Sequence, residues 1–217
     1  MIRNRCMFSG KLRSEEGFTL IEMAIVLVII GIIIGAVVKG KDVMKSAEQK
    51  RLYTTFAREW QIAYNNYYDR TGWILGDDNS NNNANRDGRC SDAGAMATVG
   101  QLNNQLTYVG LNPPAVGPTN ATNVRTYTDA WGRQYTLALQ LNNNTTFGNF
   151  IQITSATGIP YDLGLAWDRI VDGASDGNVG DLLYIPDTGS PAAAADWPTN
   201  AATVPPATSA IYLRLQF

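Results

Sequence analysis

Apolar and polar positions divide this chain into two unlike stretches. Residues 18–38 carry no charge except Glu22, and a run of that length can cross a bilayer as a helix, which needs about 20 residues. Beyond it the pattern changes from uniformly apolar to periodic. Tyr53, Phe56, Trp60, Ala63, Tyr64 and Tyr67 recur at three- and four-residue steps, and residues 41–70 contain neither proline nor glycine. That spacing predicts one apolar face of an amphipathic helix, with the aromatic stripe as core. Lys45, Glu48, Arg51, Arg58 and Glu59 fill much of the polar remainder, and Gly72 is the expected stop. Residues 18–70 are thus expected to form one nearly continuous helix, about 80 Å long at 1.5 Å per residue. Gly31, Gly35 and Gly40 interrupt its apolar half. Each costs about 1 kcal/mol of helix propensity relative to alanine, and glycines in lipid permit close helix approach.

After Gly72 the polar text takes over. Residues 77–94 are rich in Asn, Asp, Ser and Gly and read as an exposed loop, with Asp77, Asp78 and Asp87 as solvated turn residues. Residues 99–109 form a short helix or strand. A turn at Asp129-Ala130-Trp131-Gly132 precedes a strand with Tyr135, Leu137, Leu139 and Leu141 on one face. Asn142-Asn143-Asn144 is the expected hairpin turn, with residues 147–154 as the returning strand. Residues 181–185 are a short candidate strand, and residues 186–206 a long surface loop. At the C-terminus Ile211, Leu213, Leu215 and Phe217 alternate with Tyr212, Arg214 and Gln216, as in a half-buried strand.

Composition narrows the chemistry. Charged residues make up 17% of the 217, and the formal net charge is −2. There is no histidine, so imidazole acid–base chemistry, His-based triads and His metal ligands are excluded. No phosphate-binding loop and no G-x-G-x-x-G occurs, and no spacing selects a carboxylate pair for glycoside hydrolysis. An enzymatic head is not expected.

The leader supplies the next clue. Arg3, Arg5, Lys11 and Arg13 precede Glu15-Glu16-Gly17, and the apolar run follows them. A secretory signal peptide would end its apolar region in a small-residue cleavage site, whereas here Val37-Val38-Lys39-Gly40-Lys41 follows. A lone acid within an apolar span costs about 2.5–3.5 kcal/mol by insertion scales, so Glu22 requires a job and a partner. The string Gly17-Phe18-Thr19-Leu20-Ile21-Glu22 resembles the class III signal of type IV prepilins and pseudopilins, closely so over residues 14–41.

The resemblance implies a set of expectations. A prepilin peptidase cuts between Gly17 and Phe18 and methylates the new amine of Phe18. Glu22 then pairs with the Phe18 amine of a neighbouring subunit, while the basic leader stays cytoplasmic. The implied fold is α+β and type IV pilin-like: a long N-terminal helix, half transmembrane and half amphipathic, packed on a small antiparallel β-sheet head. Its parts are a leader peptide (1–17), a transmembrane or filament-core helix (18–40), an amphipathic helix (41–71) and a globular head (72–217). The head includes an αβ-loop (72–125) and a C-terminal strand (210–217). Lys39 stands where many pilins carry a nearby proline. Loss of the leader removes Cys6 and leaves Cys90 alone, so the loop-closing disulfide of many major pilins cannot form. Cys90 could pair between subunits, carry a cofactor or lipid, or sit as a buried or idle thiol. The head must therefore hold together through packing, metal or intersubunit contacts. The mature chain would hold 13 basic and 17 acidic side chains, a formal −4, with no basic footprint for nucleic acid.

Asp168, Asp172, Asp176 and Asp181 lie among glycines and are candidate calcium ligands, although their offsets differ from an EF-hand loop. Major pseudopilins of type II secretion bind calcium in a C-terminal loop, and Asp129-Ala130-Trp131-Gly132-Arg133-Gln134-Tyr135 is similar to their Asp-x-Trp-Gly-x-x-Tyr stretch. The competing reading is an Asp/Gly turn that satisfies its own backbone. The expected function is a structural subunit, most simply a minor pilin, of a type IV pilus or related filament. Its expected partners are other pilin subunits, the prepilin peptidase, the inner-membrane assembly machinery and the membrane. It would lie in the inner membrane before assembly and in a surface or periplasmic filament afterwards. A type II secretion pseudopilin is one alternative, and a membrane-anchored binding domain that never polymerises is another.

Overall fold

The computed structural model describes residues 17–77, 86–90, 99–115, 117, 121–188, 193–198, 200 and 203–215. The chain divides into two units, Met1–Val43 and Met44–Phe217. In the first, the only described element is most of α1, a helix that opens at Leu20 and continues to Leu52. Its residues up to Val43 are all exposed in the isolated chain, and by length and composition the helix can cross a membrane. A Cβ built at Gly31, Gly35 or Gly40 meets nothing within 4 Å. Among the described residues, no packing requires those glycines.

In the second unit the end of α1 passes through a π-helical turn, Tyr53–Ala57, into α2, Arg58–Thr71. Thr54 and Thr55 accompany the turn by donating their hydroxyls to the carbonyls of Lys50 and Arg51 at 2.9–3.1 Å, a habit of Thr that bends helices. The predicted face is the buried one: Tyr53, Phe56, Trp60, Ala63, Tyr64 and Tyr67 all lie in the core. Gly72 ends α2 in the left-handed region (φ +70°), with its N–H donating to the Tyr68 carbonyl at 2.7 Å. An L side chain there would be strained, which is why glycine closes the helix.

Residues 99–108 are helical (α3, Val99–Tyr108). The sheet comprises β1 (Val124–Thr128), β2 (Gln134–Asn144), β3 (Gly148–Ser155), β4 (Leu182–Ile185) and β5 (Ala210–Arg214). Its order is β1-β2-β3-β5-β4 and every pair is antiparallel. The register places Leu139 opposite Ile153 and Ile153 opposite Ile211, and likewise Leu141 opposite Ile151 and Ile151 opposite Leu213. These side chains share one core with the aromatic face of the helix. A long apolar N-terminal helix and a small antiparallel sheet make the α+β, pilin-like fold that the resemblance implied.

Several boundaries differ from the sequence reading. The three asparagines finish β2, and the turn falls on Thr145–Phe147 instead. Asn144 makes that turn by accepting the N–H groups of Thr146 and Phe147 at 3.1 and 2.6 Å. Strand β1 and a fourth helix, α4 (Tyr161–Val171), have no counterpart in the expected pattern. The expected αβ-loop thus contains α3 and the start of β1. Strand β5 is not half exposed. Tyr212 on its second face is buried in a small cluster with Phe150, Leu183, Ile185 and Ala210, stacked on Phe150 at 4.1 Å. Residues 216–217 lie outside the described residues. Asp77 is not solvated either: it is buried and accepts the N–H groups of Asp87 and Gly88 at 3.0 and 3.2 Å. Asp78 lies outside the described residues.

One polar side chain interrupts the helix's buried face for a reason. The Gln49 side-chain amide donates to the Tyr127 hydroxyl (2.9 Å) and the Asp162 backbone carbonyl (3.1 Å), while the Gln49 backbone carbonyl accepts the Trp167 indole N–H (3.0 Å). Tyr127 in turn donates to the Asp162 carboxylate at 2.6 Å. Helix α1, strand β1 and helix α4 are therefore tied by directional bonds where apolar contact alone would leave their rotation free.

Candidate processing and assembly site

Gly17, Phe18 and Thr19 form a non-helical segment ahead of Leu20, and Phe18 is 79% exposed. A Cβ on Gly17 would meet nothing within 4 Å. The fold therefore makes no demand for glycine there, so any such demand comes from whatever binds the segment.

Glu22 is placed by the local sequence. Its carboxylate accepts the Thr19 backbone N–H at 2.7 Å and the Thr19 hydroxyl at 2.8 Å, and the Glu22 N–H donates back to the Thr19 hydroxyl at 3.3 Å. This is a capping box, the reciprocal arrangement in which a Thr at the N-cap and an acid three residues later satisfy orphan donors of the first turn. The acid also lies at the positive end of the helix dipole. Thr19-x-x-Glu22 just before an apolar run was the readable signal for it, overlooked in the reading of Glu22 as an acid awaiting an outside partner.

The acidic stretch of the head runs from α4 to the entry of β4. Asp168 is on α4 and wholly buried. Its Oδ2 accepts the Trp197 indole N–H at 2.7 Å and the Gly177 N–H at 3.0 Å. Asp172, at the end of α4, spends both oxygens on the N–H groups of Asp181 and Leu182, each at 2.9 Å. Asp168 Oδ1 and Asp176 Oδ1 are buried without a hydrogen-bond partner. Burial, with nearby Asp172 adding to it, pushes the Asp168 carboxyl up to about 6, against the two donors that pull it down. Among the described residues no three acidic or cysteine side chains gather as a metal-ligand group. Both Asp172 oxygens are thus engaged by backbone donors, whereas calcium takes six to eight oxygen ligands.

The Asp129 stretch builds a turn. Asp129 is buried and accepts the N–H groups of Trp131 and Arg133 at 2.9 and 2.8 Å, and it also pairs with the Arg133 guanidinium. Burial raises its carboxyl, but the Arg133 and Trp131 donors outweigh that and hold it below the ordinary range. Gly132 supplies a positive φ of +84°. Cys90 is a free, buried thiol that donates to the Asn142 carbonyl at 2.7 Å, and burial pushes it up to about 12.

Comparison with known proteins yields one match. Residues 12–38 fit the family model of the prokaryotic N-terminal methylation motif. No curated protein and no solved structure matches the chain. That segment is therefore the prepilin-type signal carried by type IV pilins and pseudopilins.

Proposed function

We propose that this chain is a pilin-like structural subunit, most simply a minor pilin, of a type IV pilus or related filament. The observation that carries the proposal is Glu22, the single charge of residues 18–38, placed five residues beyond Gly17, itself next to an exposed Phe18. In the unassembled subunit the capping box satisfies part of the carboxylate's hydrogen-bonding capacity, but its charge stays uncompensated in lipid. Cleavage creates an amine at Phe18, and that amine on a neighbouring subunit supplies the missing countercharge. Each buried charge is then paired, and the pairing fixes the register between adjacent helices. Gly31, Gly35 and Gly40, which have open space beside them, are where such helices come closest.

The missing disulfide and the lysine at position 39 favour a minor over a major subunit. The decisive experiment is the mass of the N-terminal peptide of the mature protein, from cells with and without the prepilin peptidase. A peptide beginning at N-methylated Phe18, made only when that enzyme is present, supports the proposal. An uncut Met1 overturns it. The abundance of the chain in sheared filaments then separates a minor pilin from a major one.

A further inference from the structure

With no disulfide and no three-ligand group among the described residues, we infer that the head fastens its C-terminal segment without metal, through an indole–carboxyl clasp between Trp197 and Asp168. Trp197 sits in residues 186–206, which read from sequence as a surface loop, yet the side chain is buried. It is held on four sides. Its ring stacks on Tyr184 of β4 with centroids 4.6 Å apart, and its N–H reaches Asp168 on α4 at 2.7 Å.

The other two walls are glycines, Gly164 on α4 and Gly177 in the loop after it. A Cβ on Gly164 would run into the far edge of the indole, and one on Gly177 would lie 2.8 Å from both the Trp197 ring and the Ala195 carbonyl. Gly177 also has a φ of +74°, so glycine is required there twice over.

The clasp also closes the sheet. Tyr184 donates its N–H to the Gly177 carbonyl at 2.7 Å and accepts the Ala195 N–H at 2.9 Å. The outer edge of β4 is thus capped by the two segments that Trp197 joins. An uncovered edge is a template for pairing with another chain. Asp168 Oδ2 serves the clasp and both Asp172 oxygens serve the entry to β4, while Asp168 Oδ1 and Asp176 Oδ1 are buried without a hydrogen-bond partner.

The test uses the full chain in detergent, with unfolding followed by circular dichroism in excess EGTA and in millimolar calcium. We expect superimposable melts, and no calcium retained by the protein after desalting. Trp197→Phe keeps the ring and loses the N–H, so its midpoint should fall by about 5 °C. Trp197→Ala should fall further, and Gly164→Ala should fall as well with Trp197 intact. A calcium-dependent rise of several degrees, or stoichiometric calcium after desalting, would overturn the inference. So would wild-type melts from both Trp197→Phe and Gly164→Ala.

Discussion

Thr19 and Glu22 close a reciprocal pair of hydrogen bonds, at 2.8 and 3.3 Å, around the first turn of the N-terminal helix. The acid expected to await an outside partner thus already has one inside its own chain. The internal partner provides hydrogen bonds and no charge, so the two interactions are complementary. In the proposed filament Glu22 starts the helix and then meets the neighbour's amine.

Loss of the Thr19 side chain should therefore be felt locally. Thr19→Val removes the cap and is expected to weaken the first turn by about 1 kcal/mol, while Thr19→Ser should retain it. Amide hydrogen exchange at Ile21 and Glu22 in detergent micelles measures this. Faster exchange in the Val variant alone is the expected result.

Glu22 variants separate insertion from assembly. Glu22→Gln keeps most of the cap, because Gln also completes a capping box, but it cannot neutralise an ammonium. Membrane fractionation should find the variant inserted as wild type, and sheared-filament preparations should be depleted of it. Normal recovery in filaments would mean that the charge has no assembly role.

Gly17→Ala probes the peptidase and not the fold. The open space around Gly17 admits a methyl group, so expression and insertion should be unchanged. The ratio of precursor to mature chain on an immunoblot should rise. Equal processing would show that glycine is dispensable at this site.

The pH dependence of the head should carry the signature of Asp168. Its folded-state value is raised to about 6 from 3.8, chiefly by burial. A raised acid binds its proton more tightly folded than unfolded. Its contribution is full below the unfolded value and is lost as pH rises through about 6. Asp129, held low, acts in the opposite sense: its contribution is present at neutral pH and lost as pH falls through its depressed value. Melting midpoints between about pH 4 and pH 7 should therefore fall less with rising pH in Asp168→Asn than in wild type.

The core prediction is large. Trp60 is fully buried, and its indole donates to the Thr122 carbonyl at 3.2 Å. Trp60→Ala should cost about 3–5 kcal/mol, read as a lowered midpoint in urea with little change in slope.

Elements whose pattern is local were legible before any coordinates. The aromatic face from Tyr53 to Tyr67 follows from 3.6-residue periodicity, and the β2 face from period-two alternation of Tyr135, Leu137, Leu139 and Leu141. The N-terminal methylation motif of residues 12–38 was legible through a contiguous string. What stayed hidden depends on distant partners. Tyr212 looked outward-facing until Phe147 and Phe150 covered it. Trp197 looked like part of a surface loop because Gly164 and Gly177, which make room for it, are 33 and 20 positions away. Helix α4 was missed because four aspartates drew attention to a loop. Yet Tyr161, Gly164 and Asp168 were already spaced as one helical face, behind Pro160.

Cys90 has a practical use. Cleavage would remove Cys6, and the remaining thiol is shut inside the head, where burial keeps it in the unreactive thiol form. The mature wild-type surface is therefore blank to maleimides. Tyr108→Cys, at a position 93% exposed, would add one addressable handle. A fluorophore placed there would report where each copy of this chain resides.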